Sequence, residues 1–512
     1  MKRKLLVLFS LSLTFRLALS AAAPAPPRMS RALRAATSRS TGWLGAAGKT
    51  EITPDLARPV YLAGFGYKGR KATAIHDPFY ARAVALGDAR QTIVLASLDL
   101  IGLPRPYVEK IRQGFPEVYI LIASVHTHSG PDTLGLWGPS LGASGVDPIY
   151  IDSVIIKTQA LIREILGRLE PVELVIAKTT APAAGLVRDL RDPIVIDNEM
   201  NVLALRRPRS KKILASIVEW SCHPEVLGPS NTEATPDFAA ALTGYLDSAT
   251  GGTSVFFAGA IGGLMSPDSR EDSFEEASRI GAELGRRATL AISRAQTVSV
   301  PGIQISSGSL RLPIDNPLYL AQLSNIVHGR ALMDQEGLTW PTPFWFNWPV
   351  LAKLIPAWIG RVFGGSRPWL ETEIAVLDLG LGQASILAVP GEIFPELVTG
   401  GYDGEFRFHH PLMTPDNLAP ADVSRAPQGP YLKDLMSGNM RMVIGLANDE
   451  LGYIVPEYDF KINRRSPVLH PRPKGHHYEE TNSLGREASS LLDRSLKDLL
   501  LRAFPPKSTA TP

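Results

Sequence analysis

Two histidines separated by one residue are the first feature of the sequence whose spacing could do chemistry. His126 and His128 lie in the segment 124–131, SVHTHSGP, directly after the apolar run 118–123. If that run is a β-strand, residues two apart project from the same face, so both imidazoles converge where the chain turns. Two imidazoles in this arrangement favour a metal site over a purely structural role.

A third histidine and a carboxylate follow two further apolar runs. His223 comes after the run 213–220 and precedes a proline, and Glu392 comes after the run 384–389 and a Pro-Gly pair. Open α/β sheets bind ligands at strand ends, so the repeated arrangement predicts one shared pocket. The alternatives are a hydrogen-bonded structural imidazole for His223 and a helix N-terminal carboxylate for Glu392, a role that Glu396 fits better.

A His/His/Glu set with one open position is the coordination of catalytic zinc. Zinc lowers the pKa of its water toward ~7 and polarises a carbonyl group, which are the two requirements of amide or ester hydrolysis. The single cysteine, Cys222, excludes an internal disulfide and a cysteine-based zinc site, so histidines and carboxylates must hold any metal. Eight regular βα units are not apparent, which disfavours an amidohydrolase-type barrel.

The elements that must position these residues alternate between strand and helix signals. The fold class is therefore predicted as α/β, with mixed α+β as the alternative: central β-sheets flanked by helices, and the metal site at strand ends. The runs 92–98 and 118–123 predict buried strands, with a crossover helix over 105–113. The runs 202–205 and 213–220 predict a hairpin around the basic turn 206–212, and the ranges 275–293 and 484–504 predict amphipathic helices.

Composition and the termini indicate an exported protein. The 512 residues carry a net charge of only +3, which does not indicate the clustered positive charge that nucleic-acid binding requires. Residues 1–23 read as a secretory signal peptide, so we expect a periplasmic or secreted protein. Residues 24–48 predict a disordered leader, 49–505 one hydrolase domain, and 506–512 a disordered tail.

The segment from Trp340 to Trp369 is unusually aromatic, with five of the eight tryptophans. Amphipathic aromatic side chains favour places where one end is apolar and the other is wet. The composition is compatible with a lid, a lipid-facing surface that makes peripheral membrane contact, or a packed insertion, and it does not separate these roles.

Ordered motifs give the chain a wider resemblance. Over residues 52–485 it resembles the neutral/alkaline, non-lysosomal ceramidase family. The motifs are ITP (52–54), AGFG (63–66), IHD (75–77), ARA (81–83), HTHSGP (126–131), His223, GGLMSPD (262–268), PGE (390–392), NDELGY (448–453), PEY (456–458) and YE (478–479). Many members also carry a C-terminal immunoglobulin-like domain, whereas this chain ends soon after the helix predicted over 484–504, so we expect the catalytic domain only.

The resemblance implies roles for individual residues. One zinc ion per chain would be held by four side chains: His126, His223, Glu392 and Tyr453. Catalytic roles fall to His128, Ser266 and Tyr453, and contacts with the amide and hydroxyl groups of the substrate to Gly64, Arg188 and Tyr478. The residues alone leave other interpretations open: a turn or helix-cap serine at 266, a buried strand tyrosine at 453, and Arg191 in place of Arg188.

The activity implied by the resemblance is hydrolysis of N-acylsphingosine to a sphingoid base and a fatty acid by attack of zinc-bound water. His128 would take and return the proton, and Tyr453 would help to stabilise the oxyanion. Two alternatives stay open: a zinc hydrolase of another N-acyl amine or a lipid ester, and a non-catalytic secreted lipid-binding protein with a structural metal.

Overall fold

The computed structural model describes residues 42–66, 68–316, 319–320, 330–340, 367–401, 412–417, 420–461 and 478–505. The predicted signal peptide, most of the leader, the tail 506–512 and residues 341–366 of the aromatic segment lie outside this part of the chain. The predicted disordered leader, residues 24–48, was wrong in its last residues, 43–48. A strand already begins at Trp43, and it is held because Trp43 and Leu44 are buried in the core.

Most of the described strands belong to two sheets. The first sheet contains β1 (Trp43–Glu51), β5 (Tyr80–Gly87), β6 (Thr92–Leu98), β7 (Tyr119–Ser124), β8 (Glu170–Thr180), β10 (Glu199–Arg206), β11 (Ile213–Trp220), β13 (Thr253–Ala258) and β15 (Gln296–Thr297). The second sheet contains β16 (Ile303–Pro313), β17 (Trp369–Leu379), β18 (Ala384–Ala388) and β20 (Met440–Ile444).

The remaining described strands form short pairs. These are β2 (Tyr61–Leu62) with β3 (Arg70–Lys71), β4 (Ala74–Ile75) with β12 (Glu233–Ala234), β9 (Arg188–Asp189) with β14 (Met265–Ser266), and β19 (Glu392–Ile393) with β21 (Tyr453–Ile454). The last two pairs carry residues of the predicted site.

The described α-helices are α1 (Arg105–Arg112), α2 (Pro148–Leu166), α3 (Phe238–Thr250), α4 (Phe274–Ser293), α5 (Pro395–Thr399), α6 (Leu432–Leu435) and α7 (Arg486–Ala503). Three 3-10 turns cover Val423–Arg425, Glu457–Asp459 and Glu479–Asn482. Among the described residues, no helix is long and apolar enough to span a bilayer.

The first sheet is mixed, in the order β13-β11-β10-β8-β1-β5-β6-β7, with β15 added at β8. Strands β6 and β7 are parallel because α1 provides the crossover between them, and β11 and β13 are parallel with α3 in the connection. Strands β10 and β11 form the predicted antiparallel hairpin around the basic turn.

Both faces of the first sheet are buried, which explains the near-continuous apolar runs. In β6, Ile93 and Leu95 pack toward the second sheet, whereas Val94 and Ala96 pack toward α1 and α2. Helices α3 and α4 cover the same outer face beside β11 and β13, and α7 covers the outer face of the second sheet. The predicted fold class is confirmed: two central β-sheets are stacked between layers of helices.

The ends of the aromatic segment are fixed to the core. Trp340 and Trp369 are both buried, and Met333 forms β-bridges with Thr339 and Trp369. The role of the segment between them stays a prediction.

Candidate active site

His126 is set by a strained backbone directly after β7. Its φ is 72°, a value that L-residues rarely adopt, and its own N–H donates to the Leu100 carbonyl at 2.9 Å. Its Nδ1 lies 2.6 Å from the carbonyl oxygen of Ile101. The opposite nitrogen, Nε2, lies 3.6 Å from Oε2 of Glu392.

His223 repeats this arrangement after β11. Its Nδ1 lies 3.0 Å from the carbonyl oxygen of Met265, and its Nε2 lies 3.0 Å from the same Oε2 of Glu392. A carbonyl oxygen only accepts hydrogen bonds, so Nδ1 carries the proton in both residues and Nε2 presents a lone pair. Burial lowers the pKa of both imidazoles, which keeps them neutral.

Two nitrogen lone pairs and a carboxylate oxygen therefore converge on one buried point. Lone pairs that face one another repel unless a proton or a cation lies between them. Burial raises the pKa of Glu392 well above its usual value when no cation is present. An imidazole whose Nδ1–H is held by a carbonyl group is also the usual form of a metal ligand. The donor set thus fits a metal ion such as zinc.

His128 lies close to the two other imidazoles. Metal-binding atoms of His126, His128 and His223 all lie within 4.8 Å of one another. The His128 N–H donates to the Pro224 carbonyl at 3.0 Å, which ties together the loops after β7 and β11. Nδ1 of His128 lies 3.1 Å from Oε2 of Glu225, a close contact rather than an aligned hydrogen bond.

Gly64 makes room for the His128 ring. Its φ is +96°, and a Cβ at this position would lie 2.3 Å from Cγ of His128. A side chain at residue 64 would therefore displace the imidazole.

Tyr453 is brought beside Glu392 by strand pairing. Strands β19 and β21 are parallel, with Glu392 directly opposite Tyr453. The Tyr453 hydroxyl lies 3.0 Å from the hydroxyl of Tyr478. Burial, and then the charge of Glu392, raise the pKa of Tyr453 well above its usual value. The phenol therefore keeps its proton, and its oxygen lone pairs stay available to a cation at the shared point.

Ser266 and Arg188 face each other across a second short pairing, that of β14 with β9. Ser266 is buried and its hydroxyl donates to Oε1 of Glu225. Arg188 is exposed at the rim. Arg191, the alternative match, is buried in ion pairs with Asp459, Glu479 and Glu480, so it is not available to a substrate.

Two adjoining cavities meet at the candidate site. A cavity of about 60 Å³ is lined by His126, His128, Glu392 and Tyr453, together with the apolar side chains of Ile101, Leu134, Leu136 and Trp137. A wider cleft of about 470 Å³ is lined by Arg188, Glu225 and Ser266. Four residues, Gly64, Trp137, Tyr478 and Asn482, line both.

The structure brings every predicted site residue into this region. His223 reaches it through Glu392 rather than through the cavity wall, and Arg188 reaches it from the rim. The individual roles stay predictions.

Sequence reasoning missed two carboxylates, Glu225 and Glu450. Glu225 follows His223-Pro224 and touches both His128 and Ser266. Glu450 lines the smaller cavity three residues before Tyr453. Each is a single acidic residue in a loop, and its position next to a motif was the only available signal.

Solved structures share this fold. The chain superposes on the neutral ceramidase from Pseudomonas aeruginosa with a TM-score of 0.64 and 16% identity, covering 91% of this chain and 75% of that one. A ceramidase complexed with C2 gives a TM-score of 0.63 and 16% identity over the same shares. No family model and no curated protein matches the sequence. The resemblance inferred from the motifs is thus confirmed at the level of the fold.

Proposed function

We propose that this protein is a zinc-dependent amide hydrolase that cleaves N-acylsphingosine into a sphingoid base and a fatty acid. The observation that carries the proposal is the convergence of two imidazole lone pairs on one buried carboxylate oxygen, Oε2 of Glu392, at the wall of a cavity. The ceramidase fold supports the choice of substrate.

Four side chains would hold the zinc ion: His126, His223, Glu392 and Tyr453. A zinc ion held there would polarise an amide carbonyl and make water nucleophilic near neutral pH. His126 and His223 would contribute Nε2, because their Nδ1 atoms are engaged by backbone carbonyls. The carbonyls of Ile101 and Met265 fix the orientation of the two rings.

His128 is the proton carrier of the proposal. Burial, and then the neighbouring His223 and Arg70, hold the pKa of His128 well below its usual value, so the ring is neutral and able to accept a proton. With Nδ1 turned to Glu225, Nε2 is the atom that takes a proton from water and returns it to the leaving amine.

The other residues bind and orient the substrate. The Tyr453 hydroxyl stabilises the negative charge that develops on the amide oxygen. Ser266, Arg188 and Tyr478 would hold the hydroxyl groups of the sphingoid half in the wider cleft. Leu134, Leu136 and Trp137 would contact the acyl half in the smaller cavity.

The cellular setting is part of the same proposal. Export through the signal peptide at 1–23 would bring the enzyme to lipid outside the cytoplasm, and the aromatic segment 340–369 would make peripheral contact with a membrane surface.

The test is a substrate panel on the purified full chain, assayed with and without zinc. It compares N-acylsphingosine, N-acyl amino acids and lipid esters, and the proposal expects zinc-dependent release of fatty acid from the first. Faster hydrolysis of another member would select the alternative amide or ester hydrolase. Bound zinc without turnover of any substrate would select the lipid-binding protein.

A further inference from the structure

Glu450 is a buried carboxyl group among the residues that line the smaller cavity. It is 6% exposed and lines the cavity with Leu134, Tyr319 and three of the four candidate metal ligands. The backbone makes room for it, because a Cβ on Gly102 would lie 2.7 Å from Cγ of Glu450.

One oxygen of this carboxyl group is bound and the other is not. Oε1 accepts a hydrogen bond from the Gly452 N–H at 2.8 Å. Oε2 is buried and has no hydrogen-bond partner among the described residues. The nearby guanidinium group of Arg330 does not supply one, since it binds the carboxylate of Asp449 and the backbone carbonyl of Glu450.

A buried carboxyl oxygen without a partner is destabilising, so in a residue that lines a cavity it indicates a ligand group that completes it. We infer that Glu450 is a specificity-determining residue that binds a hydroxyl group of the substrate close to the scissile carbonyl, on the acyl half. A hydroxyl both donates and accepts, so it matches either protonation state of the carboxyl group. The inference rests on the proposed function, because that function makes the substrate an N-acyl amide.

The two cavities assign the hydroxyl to the acyl half. The wider cleft offers Arg188, Glu225 and Ser266, which suit an amine half rich in hydroxyl groups. The smaller cavity offers Leu134, Leu136 and Trp137, which suit a hydrocarbon chain, and Glu450, whose Oε2 has no hydrogen-bond partner among the described residues. A 2-hydroxyacyl amide combines both features of that cavity.

The test compares three amides of equal length: one unsubstituted, one with a hydroxyl on acyl carbon 2, and one with a hydroxyl on the amine half. Their dissociation constants are measured by calorimetry on the full-length His128→Ala protein, with and without Glu450→Leu. We expect the 2-hydroxyacyl amide to bind roughly tenfold more tightly than the unsubstituted one, and Glu450→Leu to remove this advantage. Glu450→Gln, which keeps an acceptor for Gly452, should retain most of it.

Glu396→Gln is the matched control, because Glu396 is also a buried carboxyl group with an unpartnered oxygen but lines neither cavity. It should leave unchanged the ratio of the dissociation constants of the unsubstituted and 2-hydroxyacyl amides. The inference would be overturned if this ratio were the same with and without Glu450→Leu. It would also be overturned if Glu450→Leu weakened only the binding of the amide that carries its hydroxyl on the amine half.

Kinetics on the proteins that retain His128 provide a second measure of the same preference. This measure is the kcat/KM for the 2-hydroxyacyl amide divided by the kcat/KM for the unsubstituted amide. Discrimination in binding without any turnover would refute the proposed function and leave the subsite standing. Turnover without discrimination would do the reverse.

Discussion

At the scale of single residues, the metal assignment depends on which nitrogen of each imidazole is free. His126 and His223 present Nε2 toward Glu392, whereas His128 has Nδ1 beside Glu225 and belongs to a different contact. The three rings have centroids only 5.1–5.3 Å apart, so proximity does not distinguish a ligand from a proton carrier. The neighbour of Nδ1 does distinguish them: it is a backbone carbonyl in His126 and His223, and the Glu225 carboxylate in His128.

Alanine variants separate the two roles. His223→Ala should lose the bound zinc, because it removes one of the two Nε2 ligands and leaves His126, Glu392 and Tyr453 as an incomplete site. His128→Ala should keep about one zinc per chain while kcat falls roughly 10²–10⁴-fold, the range expected for the loss of a general base. Zinc analysis by mass spectrometry and single-turnover assays provide the readouts. Zinc loss in His128→Ala would instead make it a ligand.

Gly64 tests how closely His128 must be held. Gly64→Ala introduces a Cβ 2.3 Å from Cγ of His128 and should lower kcat/KM roughly 10²-fold with zinc retained, because the imidazole moves. Gly66→Ala is the control: Gly66 also has a positive φ, but no atom lies within 4 Å of its Cβ position. Equal activity in the two variants would show that the Gly64 contact is unimportant.

The residues that sequence reasoning found were those with a distinctive position. His126, His128 and His223 each follow an apolar run, which made a pocket at strand ends predictable. Tyr453 and Ser266 were reached only through the family resemblance, since a strand tyrosine and a turn serine are ordinary. Glu225 and Glu450 depend on contacts between segments far apart in the chain, which no local pattern encodes.

At the scale of elements, the site is assembled by loops that join the two sheets. Asn448, at φ 64° in the loop after β20, accepts from the Ile122 N–H at 3.0 Å and donates to the Ile122 carbonyl at 2.7 Å through its own N–H. The side-chain amide of Asn448 also donates, through Nδ2, to Oε1 of Glu373 on β17. This residue therefore links β7, which ends before His126, to the segment that carries Tyr453.

Asn448→Ala should destabilise the fold by about 3 kcal/mol, because it leaves the buried Ile122 N–H unpaired and puts alanine at a positive φ. Urea unfolding monitored by tryptophan fluorescence measures the loss. Asn439→Ala, at an exposed asparagine four residues after the end of α6, should change stability by less than about 0.5 kcal/mol. Similar effects of both substitutions would refute the proposed link.

Long regular elements were predictable and short pairings were not. The strand at 92–98 has the predicted bounds, and the helix predicted over 484–504 begins only two residues later, at Arg486. The pairing of β19 with β21 involves two residues from each strand, so it has no periodicity to read. That pairing is nevertheless what sets Tyr453 beside Glu392.

At the scale of the whole molecule, the candidate metal centre connects distant parts of the chain. His126 follows β7 and His223 follows β11 in the first sheet, whereas Glu392 and Tyr453 lie on the separate β19–β21 pair. The stacking of the two sheets was not predicted, because a near-continuous apolar run indicates that both faces of a strand are buried without identifying what buries each face.

A metal that joins these parts should stabilise the fold. Zinc at about 100 times its dissociation constant would contribute about 2.7 kcal/mol, so removal by a chelator should lower Tm by about 3 °C for a domain of this size. Differential scanning calorimetry with chelator, followed by zinc addition, measures the shift. In His223→Ala the chelator should change nothing. A chelator effect of the same size in His223→Ala would place the stabilising metal elsewhere.

Crystallography of the zinc-loaded protein, with anomalous data at the zinc absorption edge, tests the proposed metal centre directly. The proposed centre predicts one strong peak per chain, at ~2.0–2.2 Å from Nε2 of His126, Nε2 of His223 and a carboxylate oxygen of Glu392. A peak bound to other residues, or none at this point in protein shown to contain zinc, would contradict it.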